Sequence, residues 1–99
     1  MSSNYESRQV VRVGDRLRLD CPVESKPHEA IYEWTKDGVD IHVGWQRFRV
    51  LRLGVLYVRD LELDDTGVYR CTATNGFGSA EARYLVYVSR ELRMDEKNG

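Results

Sequence analysis

Cysteine, proline, histidine and net charge are all scarce in this chain, and each shortage removes a class of function. Among 99 residues there are two Cys, two Pro and two His, and fifteen Lys and Arg face sixteen Asp and Glu for a net charge of −1. His28 and His42 have no companions at metal-ligand spacing, so no metal centre is expected. Balanced charge provides no long-range field to steer nucleic acid. No run of eighteen apolar residues is present to cross a membrane, and Met1-Ser2-Ser3-Asn4 lacks the apolar stretch of a secretory leader. There is no Asn-x-Ser/Thr sequon, hence no expected N-glycan. No G-x-S-x-G elbow occurs, and Gly76-Phe77-Gly78 lacks the third glycine and the following helix of a phosphate loop. Neither catalysis nor a cofactor is expected.

What is present is alternation. The length allows one domain, and 41% hydrophobic residues suffice for one small core. Short segments of period two recur between turn signals, the all-β pattern. Val10-Val11-Arg12-Val13 reads as a first edge strand ending at Gly14-Asp15. Leu17, Leu19 and Cys21 alternate with Arg16, Arg18 and Asp20, giving one buried and one wet face. Tyr32 and Trp34 are expected inward, with Ile31, Glu33 and Thr35 outward. Leu56, Val58 and Leu61, then Tyr69, Cys71 and Ala73, then Ala80, Ala82, Tyr84, Val86 and Val88 make three further inward sets. Asp37-Gly38 supplies the positive-φ pair of a tight hairpin, and Asn75-Gly76-Phe77-Gly78 makes another turn.

Cys21, then Trp34, then Asp65-Thr66-Gly67-Val68-Tyr69-Arg70-Cys71 resembles the skeleton of an I-type immunoglobulin-like domain, an antiparallel β-sandwich. The resemblance implies a disulfide between Cys21 and Cys71 across the facing sheets. It also implies that Trp34 fills the space beside that bridge and that Tyr69 closes a tyrosine corner. A bridge between residues fifty apart removes loop entropy worth about 4 kcal/mol and points to an oxidising compartment. Unpaired cysteines in cytoplasmic I-type domains of muscle proteins are the alternative. In this fold type Arg47 is expected to meet Asp65 at the base of the sandwich as a bidentate structural pair. The expected organisation is a disordered N-terminal segment over 1–7, an immunoglobulin-like domain over 8–89 and a charged linker stub over 90–99, together one module of a longer protein.

Two surfaces are candidates for binding. Twelve of the fifteen cations are Arg. The alternation allows Arg12, Arg16, Arg18, Arg49 and Arg59 to share the outer face of the sheet built from the first strand, 17–21 and 56–61. Arg suits bidentate contact with sulfate, so heparan sulfate is a candidate ligand, a solvated face being the ordinary alternative. On the opposite sheet Ile31, Leu85 and Tyr87 are expected outward beside Arg83, Glu33 and Thr72, a mixed apolar and charged patch suited to a protein partner.

Trp34-Thr35-Lys36-Asp37-Gly38, Gly44-Trp45 with Arg47-Phe48-Arg49-Val50-Leu51, and Ala73-Thr74-Asn75-Gly76-Phe77-Gly78-Ser79 carry a more specific resemblance. Over roughly residues 8–88 the chain is similar to the first immunoglobulin domain of the fibroblast growth factor receptor-like family. The resemblance implies the extracellular part of a single-pass cell-membrane protein with tandem immunoglobulin domains. In that family growth factors and heparan sulfate are held mainly by later domains. The implied function is non-catalytic ligand or co-receptor binding or cell adhesion. The partner would be a growth factor, a co-receptor or the same domain on another chain as a weak homodimer. A heparan sulfate-binding module and a cytoplasmic sarcomere-type structural domain are the alternatives. Nucleic acid is not an expected partner.

Overall fold

The computed structural model describes residues 4–21, 31–41, 45–51, 54–75 and 78–90. His28, His42, Gly44, the Gly76-Phe77 pair, residues 1–3 and the stub beyond Arg90 lie outside these residues.

Among the described residues eight strands form two sheets. β1 (Asn4–Arg12), β8 (Gly78–Ser89), β7 (Gly67–Asn75), β3 (Ile31–Lys36) and β4 (Val39–Asp40) lie side by side in that order; β2 (Leu17–Leu19), β6 (Leu56–Val58) and β5 (Phe48–Val50) make the second sheet. All neighbours are antiparallel except β1 and β8. The alternating sets converge between the sheets: Leu17, Leu19, Leu56, Val58 and Leu61 from one side meet Trp34, Tyr69, Cys71, Ala82, Tyr84, Val86 and Val88 from the other, all buried. Cys21 and Cys71 are bonded across this core with Cα atoms 5.8 Å apart. Trp34 lies directly opposite Cys71 in the β3–β7 register, stacks on Tyr84 at 6.1 Å, and donates its indole N–H to the Gly54 carbonyl at 2.8 Å. Burying an indole requires such a partner. Gly54 has φ +82°, and any Cβ there would run into the Tyr32 ring.

The Asp37-Gly38 turn has φ of 51° and 85°, the doubly positive geometry of a two-residue hairpin. Asp37 also ties the turn to β7. Its N–H donates to the Val68 carbonyl at 2.8 Å, and its carboxylate accepts the Val68 N–H at 2.9 Å. That second bond, helped by Lys36, holds the Asp37 carboxyl below the usual carboxylate range against a small burial penalty. A Cβ at residue 67 would sit 2.6 Å from this carboxylate, which is the local need for Gly67.

The first strand departs from expectation twice. It begins at Asn4, within the segment 1–7 expected to be disordered, and it joins the five-stranded sheet rather than the edge of β2. Two side chains explain this. The Tyr5 ring meets Tyr84 edge-on at 5.7 Å, and Val11 packs against the core. The pairing runs from Asn4↔Glu81 to Arg12↔Ser89, and Val13 N–H extends it to the Ser89 carbonyl at 2.9 Å. Only then does Gly14, with φ +90°, carry the chain over to the other sheet.

Candidate functional site

Polar side chains concentrate in three places, and the first of them is structural. At the base of the sandwich Arg47 grips the buried Asp65 with two bonds, Nη1 to Oδ2 at 2.7 Å and Nη2 to Oδ1 at 3.0 Å. Arg47 Nη1 also donates to the carbonyls of Asp60 at 3.1 Å and Arg59 at 3.3 Å. Asp65 accepts the Glu62 N–H at 2.8 Å, and its carbonyl accepts the Tyr69 hydroxyl at 2.6 Å, the tyrosine corner. The Asp65 carboxylate raises the Arg47 pKa further, while burial and then that same carboxylate push the Tyr69 phenol well above its ordinary value. The Arg47 guanidinium, the Glu62 N–H and the Tyr69 hydroxyl all donate to the protein's own backbone or to Asp65. These bonds orient the corner of the fold.

The second place is the outer face of the five-stranded sheet, which the strand registers divide into bands. At one end Val10 lies opposite Tyr87, and Leu85 lies between Val68 and the exposed Arg8. Val10 is 75% and Tyr87 58% exposed, Val68 is exposed and Leu85 half-buried. Next to this apolar band runs a charged one. Arg83 lies between Glu6 and Arg70 and contacts Glu6 and Glu81 at 3.8 Å each, while Arg70 contacts Glu81 at 3.6 Å. Leu85, Tyr87 and Arg83 thus come together as expected from the sequence. Ile31 does not. It is opposite Thr74, which is opposite Ser79, and six residues of strand separate Ser79 from Leu85, about 20 Å. Alternation assigns a face but not a position along it. Val10 and Val68 take the place given to Ile31. Val68 was legible as the outward neighbour of Tyr69, whereas Val10 required knowing which strand β1 pairs with.

The third place is the outer face of the three-stranded sheet. Arg18 and Arg49 both lie opposite Tyr57, one from each side, so the row reads Arg18, Tyr57, Arg49 across β2, β6 and β5. Arg59 continues the β6 side, its N–H donating to the Arg47 carbonyl at 3.1 Å. Arg49, Arg59, Tyr57, Gln46, Leu51 and Arg47 line a groove of about 430 Å³. Among the described residues no carboxylate lines it. Arg59 pairs with the exposed Asp60 at 2.9 Å and Arg18 with the exposed Asp20 at 3.5 Å, whereas Arg49 has no carboxylate partner among the described residues. Arg16 is exposed just before β2. Arg12 does not belong to this face, because β1 lies in the other sheet, where Arg12 is opposite Ser89 and 4.0 Å from Asp15.

Among the described residues no group of His, Cys, Asp and Glu could hold a metal ion, and every buried side-chain nitrogen and oxygen has a hydrogen-bond partner. A two-sheet sandwich with a central disulfide, a stacked Trp and a tyrosine corner is the immunoglobulin fold, a class of binding and structural domains. Within that class the chain belongs to the immunoglobulin I-set domain family, which matches residues 3–88. It is 51% identical over 92 residues to human fibroblast growth factor receptor-like 1 and 48% identical to the mouse protein, covering 93% of this chain in each case. It spans less than a fifth of those relatives, 18% and 17%. Chicken cell adhesion molecule DSCAML1 is 35% identical over 96 residues, 95% of this chain and 4% of that protein. Among solved structures, the Sidekick-1 immunoglobulin domains 1–4 superpose with a TM-score of 0.77 at 25% identity, covering 87% of this chain and 23% of that one. The M1 domain from titin gives 0.73 at 20% identity over 88% and 95%, a likeness of fold.

Proposed function

We propose that this domain is a non-catalytic recognition module in the extracellular part of a single-pass cell-surface receptor or adhesion protein, and that it meets a protein partner through the five-stranded sheet. The carrying observation is the band Val10, Val68, Leu85 and Tyr87 bordered by Arg8, Glu6, Arg83, Glu81 and Arg70. An apolar centre with a charged margin is the composition of a protein interface, where an aromatic such as Tyr contributes most. Long strands make the platform broad: β8 runs twelve residues and β7 nine. Sequence identity of about half to proteins called growth factor receptor-like favours a receptor over a sarcomeric spacer, since the titin likeness is one of fold at 20% identity. The disulfide agrees with an oxidising compartment.

Tyr87→Glu tests the reading. Placing a carboxylate in the apolar band should weaken self-association or partner binding about tenfold or more, while thermal stability changes by less than about 0.5 kcal/mol. Equilibrium sedimentation reads the first, and binding of a streptavidin tetramer of the domain to cells, with and without trypsin treatment, reads the second. Wild-type behaviour of the variant in both assays would remove this face from consideration.

A further inference from the structure

The sandwich is closed unevenly. Along one side its sheets end on short strands, β4 of two residues and β5 of three, with no strand beyond either among the described residues. Strands that short do not roof the core. Val50 records the opening. It shares the inward face of β5 with the buried Phe48 and lies opposite the completely buried Leu56, yet it is 45% exposed. The cleft at this place has a volume of about 750 Å³. Buried Trp34, Ile41 and Phe48 form its floor, and half-buried Tyr32 and Trp45 join Val50 along its walls. Trp45 stands edge-on to Phe48 at 5.1 Å.

Backbone and charge both indicate what fits there. The Arg47 carbonyl accepts the Arg59 N–H at 3.1 Å, and the Leu51 N–H donates to the Val55 carbonyl at 2.6 Å. In an antiparallel ladder this turns the backbone groups of Arg47, Arg49 and Leu51 toward β6 and those of Phe48 and Val50 toward the open edge. The Phe48 N–H is taken by the Trp45 carbonyl at 3.0 Å. The Phe48 carbonyl and both polar groups of Val50 therefore face the mouth of the cleft, a template for one more strand. Glu33 and Asp40 line the β3–β4 side, both exposed and without a cationic partner among the described residues, and Arg49 lines the β5 side.

We propose that this cleft binds an extended peptide segment of a partner protein, one with an aromatic or large aliphatic residue next to a Lys or Arg. The segment adds to the edge of β5 through the N–H and carbonyl of Val50, its apolar side chain enters between Tyr32 and Trp45, and its cation meets Glu33 and Asp40. Main-chain bonds hold such a strand and side-chain pockets select it. A sugar ring could stack on Trp45 but would leave the strand edge unused. The site is separate from the Val10–Tyr87 band, which lies on β1 and β8 at the other edge of the five-stranded sheet, so either can fail alone.

The test selects random linear peptides displayed on phage against the wild-type domain, with cellohexaose run beside them as a neutral glycan. Enriched peptides are then titrated against wild type, Val50→Pro, Glu33→Lys/Asp40→Lys and, as a control on the outer face of the three-stranded sheet, Arg18→Ala. Proline removes the Val50 N–H from the open edge and leaves the β5–β6 ladder intact, so the melting curve of Val50→Pro should stay close to that of wild type. Enriched sequences are expected to pair an apolar residue with a basic one. Their affinity should fall about tenfold in Val50→Pro and about tenfold in the lysine variant, and remain unchanged in Arg18→Ala. Absence of any enriched peptide would overturn the proposal, as would wild-type affinity in Val50→Pro or in the lysine variant. Binding of cellohexaose with no peptide enriched would overturn it in favour of a glycan.

Discussion

The outer faces of the two sheets carry the same cation and use it differently. On the five-stranded sheet the registers set Arg83 against Glu6 and beside Glu81, so Arg83 and Arg70 are answered locally, and the eye of the surface is the apolar group Val10, Tyr87, Leu85 and Val68, with Arg8 beside Leu85. On the three-stranded sheet Arg18 and Arg49 flank Tyr57 instead of a carboxylate, and the groove toward Arg59 remains basic. The residue across the strand is what sets Arg83 apart from Arg49, one facing Glu6 and the other Tyr57. Arg47 is the limiting case, fully answered by Asp65 and by backbone carbonyls, and it holds the sandwich together.

The largest expected effect separates the structural arginine from its neighbour two positions on. Arg47→Ala leaves the buried Asp65 carboxylate without its partner and should cost about 3 kcal/mol, whereas Arg49→Ala should stay within about 0.5 kcal/mol. Urea denaturation measures both, and equal losses would erase the distinction between them. Next comes the geometry of the apolar band. Val10→Glu, opposite Tyr87, should weaken partner binding or self-association as Tyr87→Glu does, about tenfold, while Ile31→Glu at the far end of the sheet should leave it unchanged. Sensitivity at Ile31 with none at Val10 would move the contact to the other end. The smallest effect inverts the comparison. Glu6→Gln/Glu81→Gln frees Arg70 and Arg83 and should give the five-stranded face a modest, salt-sensitive affinity for heparin, a few-fold above wild type in a low-salt titration. No gain would mean that local carboxylates are not what keeps that face neutral to polyanions.

Much of this was legible in the sequence, for identifiable reasons. The period-two pattern marks Leu17, Leu19, Leu56, Val58, Val86 and Val88 as inward because one face of each strand must be dry, and these residues are buried. The Asp37-Gly38 turn follows from the positive φ that this dipeptide tolerates. What period two does not encode is which strand lies alongside and in what register. The parallel pairing of β1 with β8 depends on Tyr5 reaching Tyr84 and Val11 reaching the core, contacts between residues far apart in the chain. That one pairing moves Arg12 to the other sheet, starts the folded strand at Asn4 and brings Val10 beside Tyr87. Register likewise carries Ile31 away from the patch in which its alternation had placed it.

The most direct test of a partner contact on the five-stranded face is binding of the tetramerised domain to cells, measured for wild type, Tyr87→Glu and Arg18→Ala/Arg59→Ala with and without trypsin treatment. The account predicts that Tyr87→Glu loses the trypsin-sensitive binding and that the arginine variant keeps it. Wild-type binding by Tyr87→Glu, or equal loss in the arginine variant, would contradict it.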